Sequence, residues 1–141
     1  MTPAHRVIAT VLLAVTLLLV AAAATAAPAC PHASFDDFLA RFGRDAGFQR
    51  GASADPLDYG YLDVGGDDPE PVHQQRPLAS LQWPLFPDPA GFGQTRSLRI
   101  TDTGDGQRQV VVRREGSSDQ QVYRFRQEPC WTLVGMFDES I

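Results

Sequence analysis

The chain contains two cysteines, Cys30 and Cys130, and a bond between them would constrain all of the sequence in between. Such a bond closes a loop of about 100 residues, for which the chain-entropy model gives a stabilisation of up to about 4.7 kcal/mol. In an oxidising compartment an isolated pair of cysteines is most simply a disulfide, and we predict one here. Without suitably spaced histidines the two cysteines cannot complete a zinc site, so we expect no metal and no cofactor.

The start of the sequence indicates export to such a compartment. A short basic start that ends at Arg6 is followed by an uncharged apolar run over residues 7–20 and by an alanine-rich segment over 21–27. This is the three-part pattern of a secretory signal peptide, with small residues where signal peptidase cuts. We predict a signal peptide over 1–26 and a periplasmic or secreted mature protein over 27–141.

Two other interpretations of the apolar start fit less well. An uncut membrane anchor would use residues 7–27, but the strongly apolar part, 7–20, is short for a transmembrane helix. A lipoprotein would carry its lipid on Cys30, yet Ala27 stands where a leucine is usual. We therefore expect no stable membrane insertion after cleavage.

The mature chain is acidic, and its basic residues are all arginines. Removal of the signal peptide leaves 11 arginines against 17 acids, a net charge of −6. Nucleic acids and anionic membrane surfaces are therefore poor partners for the protein as a whole. The absence of lysine excludes Schiff-base chemistry. A mature length of about 115 residues suits one domain with a modest core.

A helix is predicted immediately after the first cysteine. Ser34 is a suitable N-cap, and acids follow it in the first turn. Apolar side chains then recur at helical spacing and form one stripe, which we expect to face the core: Phe35, Phe38, Leu39 and Phe42. Residues 45–50 predict one further helical turn.

The last third of the chain predicts four strands joined by short turns. The β-rich runs are Ser97–Asp102, Gln109–Glu115, Gln121–Gln127 and Trp131–Asp138. Turn residues at hairpin spacing separate them, which is typical of an antiparallel meander. Alternation gives the core face as Leu98, Ile100, Val110, Val112, Tyr123, Phe125, Trp131, Leu133 and Phe137. With an earlier strand over Leu57–Val64, the prediction is an α+β fold: a helix or helix pair packed on a curved antiparallel sheet.

Between these regions, residues 65–93 contain six prolines and predict an irregular segment. A short strand over Leu81–Phe86 would be confined to an edge by Pro84. His73, Trp83 and Phe86 are the candidate contact residues of this segment. Trp83 and Phe86 would anchor a partner if they are exposed; the alternative is that they close one end of the core.

The face of the meander opposite the core predicts a basic surface. Its members are Arg99, Arg113, Arg124 and Arg126. One interpretation is a solvated face with cross-strand pairs to Glu115 or Glu128. The other is a docking surface for an acidic protein or an anionic envelope glycan.

The spacing of aromatic and polar residues also resembles a known family. The matching positions are Phe35-x-x-Phe38-x-x-x-Phe42-x-x-Asp45-x-x-Phe48-Gln49, Pro56-Leu57, Trp131-x-Leu133 and Asp138-x-Ser140. The chain resembles the exported bacterial proteins grouped as domain of unknown function 4348, whose fold looks like nuclear transport factor 2. The resemblance implies a cone of antiparallel sheet around helices. That family has no assigned activity and supplies no functional residues. The chain departs from it at Gly51–Ala54, which leaves the end of the second helix open.

Two functional hypotheses follow. We predict a non-enzymatic binding domain, of which an inhibitor or immunity protein for an envelope enzyme is one version. The alternative is a small enzyme of isomerase or dehydratase type, which needs a carboxylate inside an apolar cone. Asp58 and Asp63 are the candidate carboxylates. An interior filled by aromatic side chains would remove the site that this enzyme needs.

Overall fold

A computed structural model describes residues 29–141, so the predicted signal peptide over 1–26 lies outside the described residues. The elements are α1 (Phe35–Arg44), α2 (Ala46–Gly51), β1 (Ser53–Asp63), β2 (Glu70–Arg76), β3 (Arg96–Gly104), β4 (Gln107–Arg114), β5 (Gln120–Gln127) and β6 (Trp131–Asp138). No helix within residues 29–141 has the length and apolar character needed to cross a membrane.

The six strands form one sheet in the order β2-β1-β6-β5-β4-β3. Strands β3 to β6 are the predicted antiparallel meander. Strand β1 contains most of the earlier predicted strand and joins β6 in parallel, so the sheet is mixed. The predicted α+β class, with a helix pair on a sheet, is confirmed.

The helix pair begins and ends where side chains cap it. The Ser34 hydroxyl accepts a hydrogen bond from the backbone N–H of Asp37 at 3.1 Å. The carboxylate of Asp45 accepts from the N–H of Phe48 at 2.9 Å, so one residue ends α1 and caps α2. Helix α2 ends at Gly51, which answers the question left open by the departure from the family pattern.

The apolar stripe of α1 packs on the core face of the sheet as predicted. Phe125 of β5 is fully buried, and its ring contacts three α1 rings. The centroid distances are 5.4 Å to Phe35, 5.7 Å to Phe38 and 5.3 Å to Phe42. Edge-to-face pairs of this kind add to the energy of apolar burial. The interior of the fold is therefore filled with aromatic side chains.

Two residues predicted to pack in the core do not do so. In the pairing of β5 with β6, Phe125 faces Leu133 but Arg124 faces Gly135, so β6 carries one extra residue. A bulge of this kind reverses the alternation beyond it. Met136 consequently packs in the core, and Phe137 turns to the opposite face.

The second correction concerns β3, where Ile100 is 38% exposed. A gap of about 300 Å³ lies between α1 and this strand, lined in part by Leu39, Leu98 and Ile100. The core-facing side of β3 is thus covered only in part.

The proline-rich segment is more ordered than predicted. Residues 70–76 form β2, which pairs with β1 and accommodates Pro71 because β2 is an edge strand. The predicted strand over Leu81–Phe86 is wrong: these residues form bends without strand pairing. Pro84 and Pro87 lack the N–H donors that a ladder requires. This segment instead covers the core, where Phe86 is fully buried.

Gln49 holds that cover in place. It is the one buried polar or charged side chain recorded within residues 29–141, and it is fully enclosed. Its amide nitrogen donates to the carbonyl of Phe86 at 2.8 Å. Its amide oxygen accepts from the N–H groups of Leu85 at 2.9 Å and Phe86 at 3.1 Å. The Tyr123 hydroxyl donates to the carbonyl of Leu85 at 2.9 Å, and burial raises the pKa of this phenol.

Replacement of Gln49 by leucine tests this role. The variant leaves the N–H groups of Leu85 and Phe86 and one carbonyl without partners inside the core. Each such group costs about 1–3 kcal/mol, and part of the loss relaxes, so we expect a destabilisation of about 3 kcal/mol. Urea unfolding measures it. Gln94→Leu, at an exposed position, is the control and should change stability little. Equal stabilities of the two variants would contradict the role.

The predicted disulfide between Cys30 and Cys130 is confirmed, with a Cα–Cα distance of 5.2 Å. It joins the arm before α1 to the residue that precedes β6. The two cysteines are 100 positions apart. The bond therefore ties the described N-terminal arm to a central strand of the sheet.

Loss of the disulfide should destabilise the domain. For Cys30→Ala with Cys130→Ala we expect a decrease of about 2–5 kcal/mol in the free energy of unfolding, because the unfolded chain regains the freedom that a long loop had lost. Reductant should lower the melting temperature of the wild type and leave that of the double variant unchanged. A wild-type melting temperature that does not respond to reductant would contradict a structural role.

Candidate functional site

The outer face of the sheet, defined as the side opposite α1, carries the four predicted arginines. Pairing of the strands places one row of residues across the whole sheet: Arg99, Val111, Val122, Phe137, Gly60 and His73. Neighbouring strands lie about 4.8 Å apart, so the row spans about 24 Å. Its middle is apolar and its two ends are basic or titratable.

The arginines of this face differ in their partners. Arg124 forms an ion pair with Asp58, and Arg126 lies 3.5 Å from Glu128. Glu128 lies two residues beyond Arg126, after the end of β5, so this contact is local and is not the predicted cross-strand pair. Arg99 and Arg113 are exposed and have no carboxylate within 4.0 Å among residues 29–141. The basic character of the outer face is therefore concentrated at these two residues, which we name the Arg99–Arg113 pair.

Val111 lies beside this pair and is only 7% exposed, although it faces away from the core. It and the Arg99–Arg113 pair line a depression of about 250 Å³, together with Glu115. Arginine side chains commonly cover apolar surface with their aliphatic stems while the guanidinium stays in water. The depression thus combines an apolar floor with a mainly basic rim.

Gly135 lets Arg124 lie flat across β6. A Cβ at position 135 would lie 2.9 Å from the Nε of Arg124, closer than real contacts allow. With no side chain in the way, the guanidinium crosses from β5 to Asp58 on β1. A glycine within a strand often marks such a close approach.

Gly60 likewise leaves room for the ring of Phe137 to lie across β1. A Cβ at position 60 would lie 2.6 Å from Cε2 of the Phe137 ring. The ring crosses β1 and contacts the His73 ring, with 5.0 Å between centroids. His73 lies on β2 and not in a loop, which corrects the prediction; the proline-rich composition of this segment concealed the strand.

Asp58 contacts both Arg124, which crosses β6, and His73, which the Phe137 ring contacts. One carboxylate oxygen lies 3.5 Å from Nδ1 of His73, and the other accepts from Arg124. A shallow groove of about 670 Å³ lies above these residues, with Val122 and Phe137 among its apolar walls and Glu139 at its rim. The sequence prediction missed Phe137 as a surface residue. The glycines at 60 and 135 were the available signal in the sequence that side chains cross the strands at these positions.

The candidate contacts of the proline-rich segment are less accessible than predicted. Phe86 is fully buried, with its ring 4.9 Å from that of Tyr123 and 5.9 Å from that of Phe42. Trp83 is partly buried, and its indole N–H donates to the carbonyl of Leu78 at 3.4 Å. The alternative interpretation, that these side chains close one end of the core, describes the structure.

The two candidate carboxylates do not line the interior. Asp58 lies on the outer face, and Asp63 is exposed at the end of β1, where it accepts from the N–H of Gly65 at 2.9 Å. The interior is filled by Phe35, Phe38, Phe42 and Trp131, none of them more than 8% exposed. Within residues 29–141 no cluster of His, Cys, Asp and Glu is arranged to hold a metal ion.

A comparison with solved structures identifies the class of fold. The chain is similar to the crystal structure of an NTF2-like protein from Bacteroides fragilis, with a TM-score of 0.58 and 18% sequence identity over 81% of this chain. The match covers 50% of that protein, so this chain spans about half of its length. At this identity the likeness shows an NTF2-like fold and nothing of the activity. No protein-family model and no curated protein matches the chain, so membership in domain of unknown function 4348 stays a prediction.

The packing of Phe137 on Gly60 can be tested by a double-mutant cycle. Gly60→Ala should cost about 1–3 kcal/mol, because the new methyl group overlaps the ring. In the Phe137→Ala background the methyl group has room, and the cost should nearly vanish. Urea unfolding of the four proteins gives the coupling energy. Gly91→Ala, where the added methyl group meets open space, is the control. Additive costs would mean that the ring does not lie over Gly60.

Proposed function

We propose that this protein is an exported binding domain that docks an acidic partner protein on the outer face of its sheet. The observation that carries the proposal is the Arg99–Arg113 pair, which is exposed and has no carboxylate within 4.0 Å among residues 29–141, on a chain of net charge −5. Unpaired cations attract a complementary surface and orient its approach. The pair is the part of the four-arginine set that forms no ion pair within residues 29–141.

The remainder of the outer face supports a protein rather than a glycan as the partner. From the Arg99–Arg113 pair an apolar row continues through Val111 and Val122 to Phe137. Protein interfaces combine an apolar centre with a polar rim. Arg124 and Arg126 already have acidic partners, so we assign them a smaller share of the attraction.

Export is part of the proposal. It is supported by the signal-peptide pattern over 1–26 and by the Cys30–Cys130 disulfide, since such bonds persist in oxidising compartments. The resemblance to the exported proteins of domain of unknown function 4348 agrees with it. An inhibitor or immunity protein for an envelope enzyme is the narrower version that we favour. The filled interior, with Asp58 and Asp63 outside it, supports a binding role over a cone-pocket enzyme.

An affinity experiment with the exported form tests the proposal. The immobilised protein is exposed to envelope extract of the source organism, and retained proteins are compared between wild type and Arg99→Gln with Arg113→Gln. We expect a retained acidic protein whose binding falls about tenfold or more in the double variant, because two charge-assisted contacts are lost. Higher salt should weaken its retention, because exposed charges are screened.

Arg50→Gln is the matched control, since Arg50 is an exposed arginine on α2 and lies away from the outer face. It should retain the partner as the wild type does. Equal retention by the Arg99–Arg113 double variant would overturn the proposal. Arginine-dependent binding to purified cell-wall glycan, without any retained protein, would replace the protein partner by a glycan.

A further inference from the structure

Another concave feature lies at the disulfide end of the molecule. It is a cavity of about 510 Å³ bounded by the arm before α1, by both helices and by the first residues of β6. We name it the disulfide-end cavity, because Cys30 and Cys130 form part of its wall. It shares no lining residue with the groove or the depression of the outer face. Its size is in the range of small-molecule sites in proteins.

The walls of this cavity are mainly apolar and aromatic. Phe38 of α1, Phe48 of α2 and Trp131 of β6 all line it. The Phe38 and Phe48 rings pack edge to face, with 5.7 Å between centroids. Because the rings come from three different elements, the cavity is a product of the tertiary fold. An apolar or aromatic molecule would bury its surface here.

The wall contains a cation, Arg41, and no acid. Arg41 and His32 line the cavity, whereas none of the 17 acids does. The Arg41 guanidinium lies 4.2 Å from the centroid of the Phe48 ring. Its one recorded acidic neighbour is Asp45, at 3.9 Å between half-exposed side chains. A pair of that kind is weak and leaves most guanidinium donors available.

His32 adds a polar atom that the protein does not satisfy. Its Nε2 is buried and has no hydrogen-bond partner among the described residues. The ring packs edge to face on Phe48, with 5.6 Å between centroids. Buried polar atoms without partners are uncommon in folded proteins and call for a reason. Because this atom is closed to solvent, His32 contributes its ring to the cavity wall, and Nε2 is not counted as a contact for the ligand.

We infer that the disulfide-end cavity binds a small amphipathic organic anion. The apolar or aromatic body of this ligand packs among Phe38, Phe48 and Trp131, and its carboxylate or sulfonate meets Arg41. A cationic ligand is disfavoured, since no acid lines the wall. This inference is independent of the outer face and of any protein partner.

Two fluorescent probes with the same ring system test it: anilinonaphthalene sulfonate, which is an anion, and phenylnaphthylamine, which is neutral. The native protein should bind each at one saturable site, with quenching of Trp131 emission. Gly51→Leu should obstruct the cavity, because a Cβ at this lining position meets no atom within 4 Å. We expect both affinities to fall about tenfold or more, since the new side chain occupies space that the ring system of the probe needs.

Gly91→Leu is the matched control, because its Cβ also meets no atom within 4 Å but lies outside the cavity. It should bind both probes as the wild type does. If Gly51→Leu binds as tightly as Gly91→Leu, or if the wild type binds neither probe at one site, the cavity is not a ligand site.

Arg41→Gln tests the contribution of the Arg41 charge separately from that of the cavity's space. It also keeps the inference testable if Gly51→Leu does not fold. It should weaken the sulfonate about fivefold to tenfold, because a charge-assisted contact is lost, and leave phenylnaphthylamine binding unchanged. Arg44→Gln, on the same helix but outside the cavity, should change neither affinity. Equal losses for both probes, or no loss for the sulfonate, would overturn recognition of the anion.

Discussion

The amide of Gln49 binds the backbone of Leu85 and Phe86 inside the core, and the cover of the sheet depends on that contact. Helix α1 has ten residues and is about 15 Å long, too short to cover six strands. Beyond β2, the proline-rich segment supplies much of the remaining cover with no strand and only two single-turn 3₁₀ helices, Leu78–Ser80 and Pro89–Gly91. Its buried backbone groups therefore need side-chain partners. Gln49 and Tyr123 provide them, and this allows Phe86 to pack against the aromatic core.

Local patterns predicted what local forces determine. The stripe on α1 and the four strands of the meander follow from apolar spacing and turn residues, and both are present. What escaped prediction depends on distant partners. The burial of Phe86 needs Gln49, 37 positions away. Strand β2 is stabilised by pairing with β1, and the prolines in and beside it concealed this strand in the sequence. The orientation of Phe137 depends on one extra residue in β6 that the alternation of apolar residues does not mark.

The candidate site likewise has a part that local patterns predicted and a part that depends on distant contacts. Alternation along β3, β4 and β5 placed the four arginines on one face, and no tertiary knowledge was required. The pairing of Arg124 was not predictable, because it meets Asp58 only through the parallel contact between β1 and β6. That contact gives Arg124 an acidic partner, and the nearby Glu128 gives Arg126 a weaker one, whereas the Arg99–Arg113 pair has no ion pair within residues 29–141. The glycines at positions 60 and 135 were visible in the sequence, but their meaning needed the residues that cross them.

The aromatic interior and the disulfide together decide where a molecule can bind. An NTF2-like sheet whose core face is filled by phenylalanine side chains leaves the outer face and the ends of the fold as accessible surfaces. The outer face is built by strand register alone, since its residues lie on paired strands. The disulfide-end cavity depends on a covalent bond, since Pro31 and His32 reach its wall directly after Cys30. The two surfaces therefore rest on different constraints, and loss of the bond should alter the cavity while the sheet keeps its arginines in place.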